Sequence, residues 1–182
     1  MRFRKIGLLA LALSASLLAP ASHAEEADKM GPKYGIANAS FPEPGVMAAG
    51  QPTGDQLQLL AEDGYHTIID LRPADEPHGF DEPAAAKDNG LAYVNIPVTP
   101  ATIDQATIDR FLGAMRGATK PVIVHCSTGG RVGALFYAWL VLEKKEPPGK
   151  ALEQARAIGL HSPELTGKVQ KLVAERKAPA AR

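Results

Sequence analysis

The segment HCSTGGR, residues 125–131, places the only cysteine of the chain, Cys126, between a histidine and an arginine. It directly follows PVIV, a short apolar run that is typical of a buried parallel strand. A strand that passes through a glycine-bearing turn into a helix directs several backbone N–H groups at one point, where they can bind an anion. The same positive field favours the thiolate form of a cysteine, which is the nucleophilic form.

These residue types predict a role for each member of the segment. Cys126 is expected to be a nucleophile, and Arg131 is expected to clamp two oxygens of a phosphate with a planar fork that lysine lacks. His125 is expected to hold the loop by hydrogen bonds rather than to act as a base. The residues between the cysteine and the arginine are expected to complete a phosphate-binding loop: Ser127, Thr128, Gly129 and Gly130.

A single cysteine also has a purely structural interpretation, because free cysteine is among the most buried residue types. In an oxidising compartment paired cysteines form disulfides, but Cys126 has no partner within this chain. It is therefore either an inert buried residue or a reactive thiol, and its neighbours favour the reactive thiol.

If the thiolate attacks a phosphate ester bound at this loop, the reaction needs in addition an acid that protonates the leaving oxygen. Asp104, which follows the second predicted strand at the start of a helix, is the first candidate, and Asp109 and Asp81 are the alternatives. An aspartate at a helix start is more often a cap or a partner of the helix dipole. Asp70 and Arg72 end the first predicted strand and could also face the pocket, but an ion pair between them that braces the loop is the simpler expectation.

The histidines outside the loop do not predict a metal centre. His66, His78 and His161 show no metal-ligand spacing among themselves or with Cys126. We therefore expect no metal and no cofactor.

The surrounding pattern predicts the elements that position this segment. Apolar runs predict strands at 65–71, 91–98 and 121–125, and helical periodicity predicts helices at 54–62, 84–90, 103–118, 131–145, 149–160 and 163–177. Alternating strands and helices indicate an α/β fold, with a mostly parallel sheet flanked by helices. Ligands of such sheets bind at the carboxyl ends of the strands, where Cys126 is expected to lie.

The amino terminus has the three parts of a secretory signal peptide. Three cations, Arg2, Arg4 and Lys5, precede a short apolar run and a small-residue site that ends at Ala24. The apolar run is shorter than the about 20 residues that a membrane span needs. Residues 1–24 are therefore predicted to be removed, which leaves a periplasmic or secreted protein without a membrane span.

The remaining chain is expected to hold one domain. Residues 25–45 are predicted to be a loosely ordered lead-in, 46–176 the domain and 177–182 a tail. The whole chain has 20 Lys and Arg and 20 Asp and Glu, so loss of the three leader cations leaves a net charge near −3. Without a basic surplus, nucleic acid is not an expected partner.

HCSTGGR resembles the signature of the cysteine-dependent phosphatases, in which His-Cys is followed by five residues, arginine, and serine or threonine. Together, GQPTGDQLQLLAEDGYHTIIDLRPADE and VHCSTGGRVGAL resemble the dual-specificity-phosphatase-like domain of bacterial beta-lactamase hydrolase-like proteins, over about residues 46–145. The resemblance implies a phosphotyrosine-phosphatase-like fold. It also implies hydrolysis of a phosphate monoester, on a phosphorylated protein or a small phosphate ester, through a phosphocysteine.

The segment departs from the usual signature in two ways. Four residues separate Cys126 from Arg131, and Val132 stands where a hydroxyl residue is usual, although Ser127 or Thr128 could supply a hydroxyl. A four-residue interval occurs in the beta-lactamase hydrolase-like group and also in rhodaneses, which carry sulfane sulfur on cysteine. A sulfurtransferase and an inactive anion-binding module are therefore the alternatives. The sequence leaves the substrate and the oligomeric state open.

Overall fold

The computed structural model describes residues 33–178, which form a five-stranded sheet and six helices. The strands are β1 (Ser40–Glu43), β2 (Val46–Ala49), β3 (Thr67–Asp70), β4 (Ala92–Asn95) and β5 (Val122–His125). The helices are α1 (Gly54–Glu62), α2 (Glu82–Asp88), α3 (Gln105–Gly117), α4 (Gly130–Leu142), α5 (Pro148–Ile158) and α6 (Pro163–Lys177). The predicted signal peptide, residues 25–32 of the predicted lead-in and residues 179–182 of the predicted tail lie outside the described residues.

The sheet is mostly parallel, as the alternating pattern predicts. Its strand order is β1-β2-β5-β3-β4, and only β1 runs antiparallel to its neighbour. In the parallel register Ala49 lies opposite His125, His125 opposite Asp70, and Asp70 opposite Asn95. The carboxyl ends of four adjacent strands are thus level, and side chains that follow them lie at one edge of the sheet.

Each face of the sheet is covered by a separate apolar layer. Along β2, Val46 and Ala48 face the layer that includes α3, α4, α5 and α6, whereas Met47 and Ala49 face the layer that includes α1 and α2. This alternation follows from the two-residue period of a strand. In residues 33–178 no helix is both long and apolar enough to cross a membrane.

Local sequence signals fix the starts of two helices. Thr53 Oγ1 accepts a hydrogen bond from Gln56 N at 3.3 Å, and Gln56 Oε1 accepts one from Thr53 N at 2.9 Å, which together form a capping box. Ser162 caps α6 through its bond from Leu165 N, with Pro163 in the first turn. Both helices begin where the sequence predicts.

The prediction of a loosely ordered lead-in is wrong for the described part of that segment. Residues 40–43 form β1 and pair with β2, and Tyr34 and Ile36 are buried against α1. The proline and glycine that suggested a loose segment instead form a tight turn between the two strands, where Gly45 has a φ of +73°.

Candidate active site

Cys126 lies at the carboxyl end of β5, where that strand turns into α4. β5 sits between β2 and β3, so its end is enclosed by the ends of both neighbours. The Cys126 side chain is only 1% exposed, and its Sγ accepts a hydrogen bond from Gly129 N at 3.1 Å. The N-terminus of α4 therefore directs an N–H group at the sulfur, as the loop sequence predicts.

The orientation of the peptide groups in the loop leaves N–H groups facing the sulfur side. Ser127 O accepts a hydrogen bond from Gln51 N at 3.2 Å, and Thr128 O accepts one from Asn38 Nδ2 at 3.1 Å. Because the C=O and N–H of a trans peptide point in opposite directions, the N–H groups of Thr128 and Gly129 face away from these partners. This arrangement has the geometry of an anion-binding nest.

Two glycines make this close arrangement possible. Gly129 has a φ of +92°, and a Cβ at this position would lie 2.6 Å from Ile158 O. A Cβ at Gly50 would lie 2.9 Å from Ser127 O. Any other residue at either position would displace the loop or its support.

Arg131, in the first turn of α4, reaches across the loop and is held by Glu76. Nη1 donates to Glu76 Oε2 at 2.7 Å, and Nη2 donates to Glu76 Oε1 at 2.9 Å. Nη1 also lies 3.4 Å from Val98 O. The hydrogen bonds to Glu76 and Val98 engage only Nη1 and Nη2, and the guanidinium also interacts with the Cys126 side chain, so the Nε–Nη2 edge is the one that can take two oxygens of a phosphate at the sulfur.

Glu76 is itself fixed by a second arginine. Arg72 Nε donates to Glu76 Oε1 at 3.0 Å, and the rest of its guanidinium donates to Gln51 Oε1 and Pro77 O. Arg72 is 4% exposed, so this support is largely shielded from water. The predicted ion pair between Asp70 and Arg72 is wrong: Asp70 Oδ1 accepts the backbone N–H of Arg72, while the guanidinium pairs with Glu76.

The electrostatics of this network favour the charged forms of both partners. Hydrogen bonds from Arg131 lower the pKa of Glu76 to about 2, although burial alone would raise it. Burial alone would lower the pKa of Arg131, but the bond to Glu76 and the charges of Cys126 and Glu76 raise it above its usual value. Glu76 is therefore ionised over the physiological pH range.

The sulfur and the guanidinium open into a cleft of about 280 Å³. Its wall combines one cation, one carboxylate, two hydroxyl groups and several apolar side chains: Glu76, Val98, Thr99, Pro100, Cys126, Thr128, Gly130, Arg131 and Leu165. Ser127 is exposed and is absent from this wall, whereas Val132 is fully buried. Of the two loop hydroxyls considered from the sequence, only that of Thr128 is at the cleft.

The three aspartates considered as general acids all lie at helix starts or on the surface. Asp104 caps α3 by accepting a hydrogen bond from Thr107 N at 2.7 Å, and this bond lowers its pKa. It does not line the cleft described above. Asp81 caps α2, and Asp109 forms an exposed ion pair with Arg176. The general-acid role of Asp104 stays a prediction that the geometry does not support.

His125 is fully buried below the loop, but not in the way the sequence predicts. Its Nε2 lies 2.9 Å from Glu82 Oε1 and 3.8 Å from Asp70 Oδ1. Neither ring nitrogen has a partner at hydrogen-bond geometry within the described residues. The side chain is thus held by packing and by two neighbouring carboxylates.

Sequence reasoning missed Glu76 and Glu82. Both lie in the segment 73–83, whose prolines and carboxylates predict an exposed loop. The usable signal was a run of carboxylates directly after a predicted strand end, which is where side chains reach a ligand site in a parallel sheet.

Comparison with known proteins agrees with this geometry. Residues 38–171 match the family described as "DSP-PTPase phosphatase fused to NAD+ Kinase". The chain belongs to this family. It is also 41% identical over 92 residues to a beta-lactamase hydrolase-like protein of Xylella fastidiosa, a match that covers 48% of this chain and 21% of that protein. The chain therefore spans about a fifth of the length of that relative.

Solved structures show the same fold. A DUF442 protein of Shewanella putrefaciens CN-32 superposes with a TM-score of 0.67 at 25% identity, over 84% of this chain and 97% of that chain. P. aeruginosa TpbA, in a complex with phosphotyrosine, superposes with a TM-score of 0.62 at 17% identity, over 77% of this chain and 84% of that chain. The phosphotyrosine-phosphatase-like fold expected from the sequence is confirmed.

Proposed function

We propose that this member of the phosphatase family hydrolyses a phosphate monoester through a phosphocysteine on Cys126. The observation that carries the proposal is the common focus of three groups: the buried sulfur, the Gly129 N–H at 3.1 Å from it, and the open Nε–Nη2 edge of Arg131. A nucleophile beside preorganised donors for phosphate oxygens is what phosphoryl transfer requires.

The reaction has two steps. The Cys126 thiolate attacks phosphorus, an S–P bond forms, the P–O bond to the ester oxygen breaks, and that oxygen takes a proton from solvent, which the attacking water of the second step returns. Water then attacks phosphorus, the S–P bond breaks, and inorganic phosphate and the thiolate are released. Arg131 and the loop N–H groups stabilise the charge on the equatorial oxygens in both steps. In the second step the hydroxyl of Thr128, which lines the cleft, takes the role of the hydroxyl residue that is usual at the position of Val132.

The cleft favours a single phosphate on an apolar group. Arg131 is the one cation in the described wall, and the Glu76 carboxylate lies beside it, so a substrate with several phosphates would lack further cationic partners. Val98, Pro100 and Leu165 provide apolar surface around the entrance. Phosphotyrosine, bound in the TpbA complex, is a group of this kind. We therefore propose aryl phosphates, including phosphotyrosine in proteins, as substrates.

The first experiment separates this activity from the alternatives. Cys126→Ser should abolish turnover of an aryl phosphate while the loop still binds inorganic phosphate, because the backbone donors remain. Sulfur transfer is the second candidate, since the four-residue interval between Cys126 and Arg131 also occurs in rhodaneses. Thiocyanate formation from thiosulfate and cyanide through Cys126, without hydrolysis of aryl phosphates, would replace the phosphatase by a sulfurtransferase. Phosphate binding without either activity would indicate an inactive binding module.

We also propose that the protein acts after export. The support is the leader-like pattern from Arg2 to Ala24, which lies outside the described residues. Mass analysis of exported protein should give an N-terminus at Glu25. Recovery of the full-length form starting at Met1 from the membrane fraction would contradict export with cleavage.

A further inference from the structure

A second cavity, of about 300 Å³, is lined in part by the segment between β3 and α2, which also carries Glu76. Its wall includes Asp70 at the end of β3, His78 in the following segment and Glu82 at the start of α2. One ligand-type atom from each of these three side chains lies within 4.8 Å of the other two. Neither the proposed hydrolysis nor the family match uses this cavity.

The carboxylates at this cavity are buried without an arginine or lysine partner in the described part of the chain. Asp70 and Glu82 are each 0% exposed. Arg72 is buried and follows Asp70 by two residues, but its guanidinium is directed to Glu76, Gln51 and Pro77. Buried charges are usually paired or bound to a metal, because an isolated ion loses its hydration on burial. If both carboxylates are ionised, the compensating positive charge within the described residues comes from the neighbouring histidines or from a bound cation.

The hydrogen bonds at the cavity are also incomplete. Glu82 Oε2 accepts a hydrogen bond from Gln51 Nε2 at 3.0 Å, but Oε1 has no partner at hydrogen-bond geometry within residues 33–178. Oε1 lies 2.9 Å from His125 Nε2. Within the described residues neither ring nitrogen of His125 has a partner at hydrogen-bond geometry. Glu82 Oε1 therefore faces His125 without a well-aligned hydrogen bond, so this carboxylate, which belongs to a cavity-lining residue, keeps capacity for a further ligand.

The distance between two of the three side chains matches that between two ligands of one metal ion, and the third lies within 4.8 Å of both. His78 Nε2 and Asp70 Oδ2 are 3.3 Å apart, which is long for a hydrogen bond between charged groups. It is close to the roughly 3.3 Å that separates two ligands of a tetrahedral ion with bonds of about 2.0 Å. Tyr93 Oη and Asn95 Nδ2 donate to Asp70 Oδ2 at 2.7 and 3.1 Å. Such outer hydrogen bonds orient carboxylates that bind metals.

We propose that Asp70, His78 and Glu82 form a binding site for a divalent transition-metal cation, with Zn²⁺ as the ion to test first. One imidazole and two carboxylates suit this class of cation better than Mg²⁺ or Ca²⁺, which prefer oxygen ligands alone. The prediction of no metal site used only the spacing of histidines and the cysteine. The fold brings two carboxylates, Asp70 and Glu82, beside His78.

The bound cation would connect three parts of the fold. Asp70 ends β3 and Glu82 begins α2. His78 lies between them in the connecting segment, two residues after Glu76. Occupancy would therefore fix the segment between β3 and α2, from which Glu76 reaches Arg131. The site is structural, and the reaction at Cys126 does not depend on a metal-bound water.

The test measures Zn²⁺ binding in a Cys126→Ser background, which removes the thiol as a competing ligand. The protein is stripped with a chelator, and Zn²⁺ is titrated by calorimetry and counted by mass spectrometry of the metal. We expect one Zn²⁺ per chain and, at a concentration about 100 times Kd, a rise in Tm of roughly 5–10 °C. His78→Ala and His78→Gln should each weaken binding by at least about tenfold.

The matched control is His161→Ala, which removes an exposed histidine that does not line the cavity. Circular dichroism of each stripped variant establishes that it is folded. Retained affinity in His161→Ala together with its loss in both His78 variants would support the site. No Zn²⁺ binding by the folded Cys126→Ser protein would overturn it, as would equal affinity in the His78 and His161 variants.

Discussion

Glu76→Gln tests whether Glu76 positions Arg131 or competes with phosphate for it. The carboxylate takes one N–H from each terminal nitrogen of Arg131, at 2.7 and 2.9 Å, and leaves the Nε–Nη2 edge open. Glutamine keeps one acceptor oxygen but places an NH₂ group against the other N–H of the guanidinium. One of the two charge-assisted bonds is therefore lost, and the fork is no longer fixed in the orientation that a phosphate needs.

The size of the effect follows from the lost hydrogen bond. A hydrogen bond to a charged group contributes about 1.5–3 kcal/mol, which corresponds to roughly 10- to 100-fold in rate. The Glu76 side chain is 27% exposed, so screening by solvent places the expected loss near the lower end, at about tenfold in kcat/KM. Because the bond positions a group that acts on the transition state, most of the loss should fall on kcat.

The assay is steady-state hydrolysis of an aryl phosphate, with vanadate binding measured in parallel. The matched control is Glu143→Gln, which changes a carboxylate paired with Arg116 at 2.7 Å on the surface and should leave kcat/KM unchanged. If Glu76 instead occupied the phosphate position, Glu76→Gln would bind vanadate more tightly than the parent. That result would refute the positioning role.

The pKa of Glu76 adds a pH dependence to the same variant. Arg131 lowers this pKa from 4.5 to about 2, so the folded state holds the ionised carboxylate more strongly than the unfolded state does. The resulting stability is present above about pH 4.5 and is lost as the pH falls through about 2. The Tm difference between parent and Glu76→Gln should therefore shrink over this range. A difference that stays constant from pH 6 down to about 2 would contradict the ion pair.

Three further substitutions test other parts of the site. Arg131→Lys should lower kcat/KM by roughly 10²- to 10³-fold and weaken phosphate binding, because the charge remains but the two-pronged geometry is lost, whereas Arg116→Lys should have no effect. Gly129→Ala should reduce both activity and Tm, since its Cβ would meet Ile158 O at 2.6 Å. The control Gly113→Ala, whose Cβ would have no neighbouring atom within 4 Å, should leave both intact. Equal behaviour of the two variants would be inconsistent with the loop geometry. Asp104→Ala should lower Tm by roughly 2–4 °C through loss of the α3 cap, while Asp104→Asn keeps the cap. The general-acid prediction requires Asp104→Asn to slow hydrolysis of an alkyl phosphate by about 10²-fold. Equal rates of hydrolysis in Asp104→Asn and the parent would remove Asp104 from the mechanism.

Much of the sheet could be predicted because its central strands have strong apolar patterns. VIVH and TIID are buried on both faces, and continuous apolar runs next to glycine or proline are typical of such strands. β2 was missed because VMAA has only one β-branched residue and follows a proline- and glycine-rich stretch. Its identity as a strand depends on pairing with β5, which the local sequence does not encode.

The loop from Cys126 to Arg131 could be identified because its chemistry is contiguous in sequence. The residues that support it are not contiguous: Gln51 and Asn38 hold its carbonyls, and Glu76 holds Arg131 from a segment 55 residues away. Composition made that segment look exposed, since it is rich in proline and carboxylates. Those carboxylates become supporting groups only because parallel strands bring their ends together.

The central claim is that Cys126 carries the phosphoryl group, and the most direct measurement is mass spectrometry of the protein denatured in acid during turnover of an aryl phosphate. The account predicts a phosphoryl adduct on the peptide that contains Cys126, and its absence in Cys126→Ser. Turnover of the ester without any adduct in the parent, and at the same rate in Cys126→Ser, would contradict it.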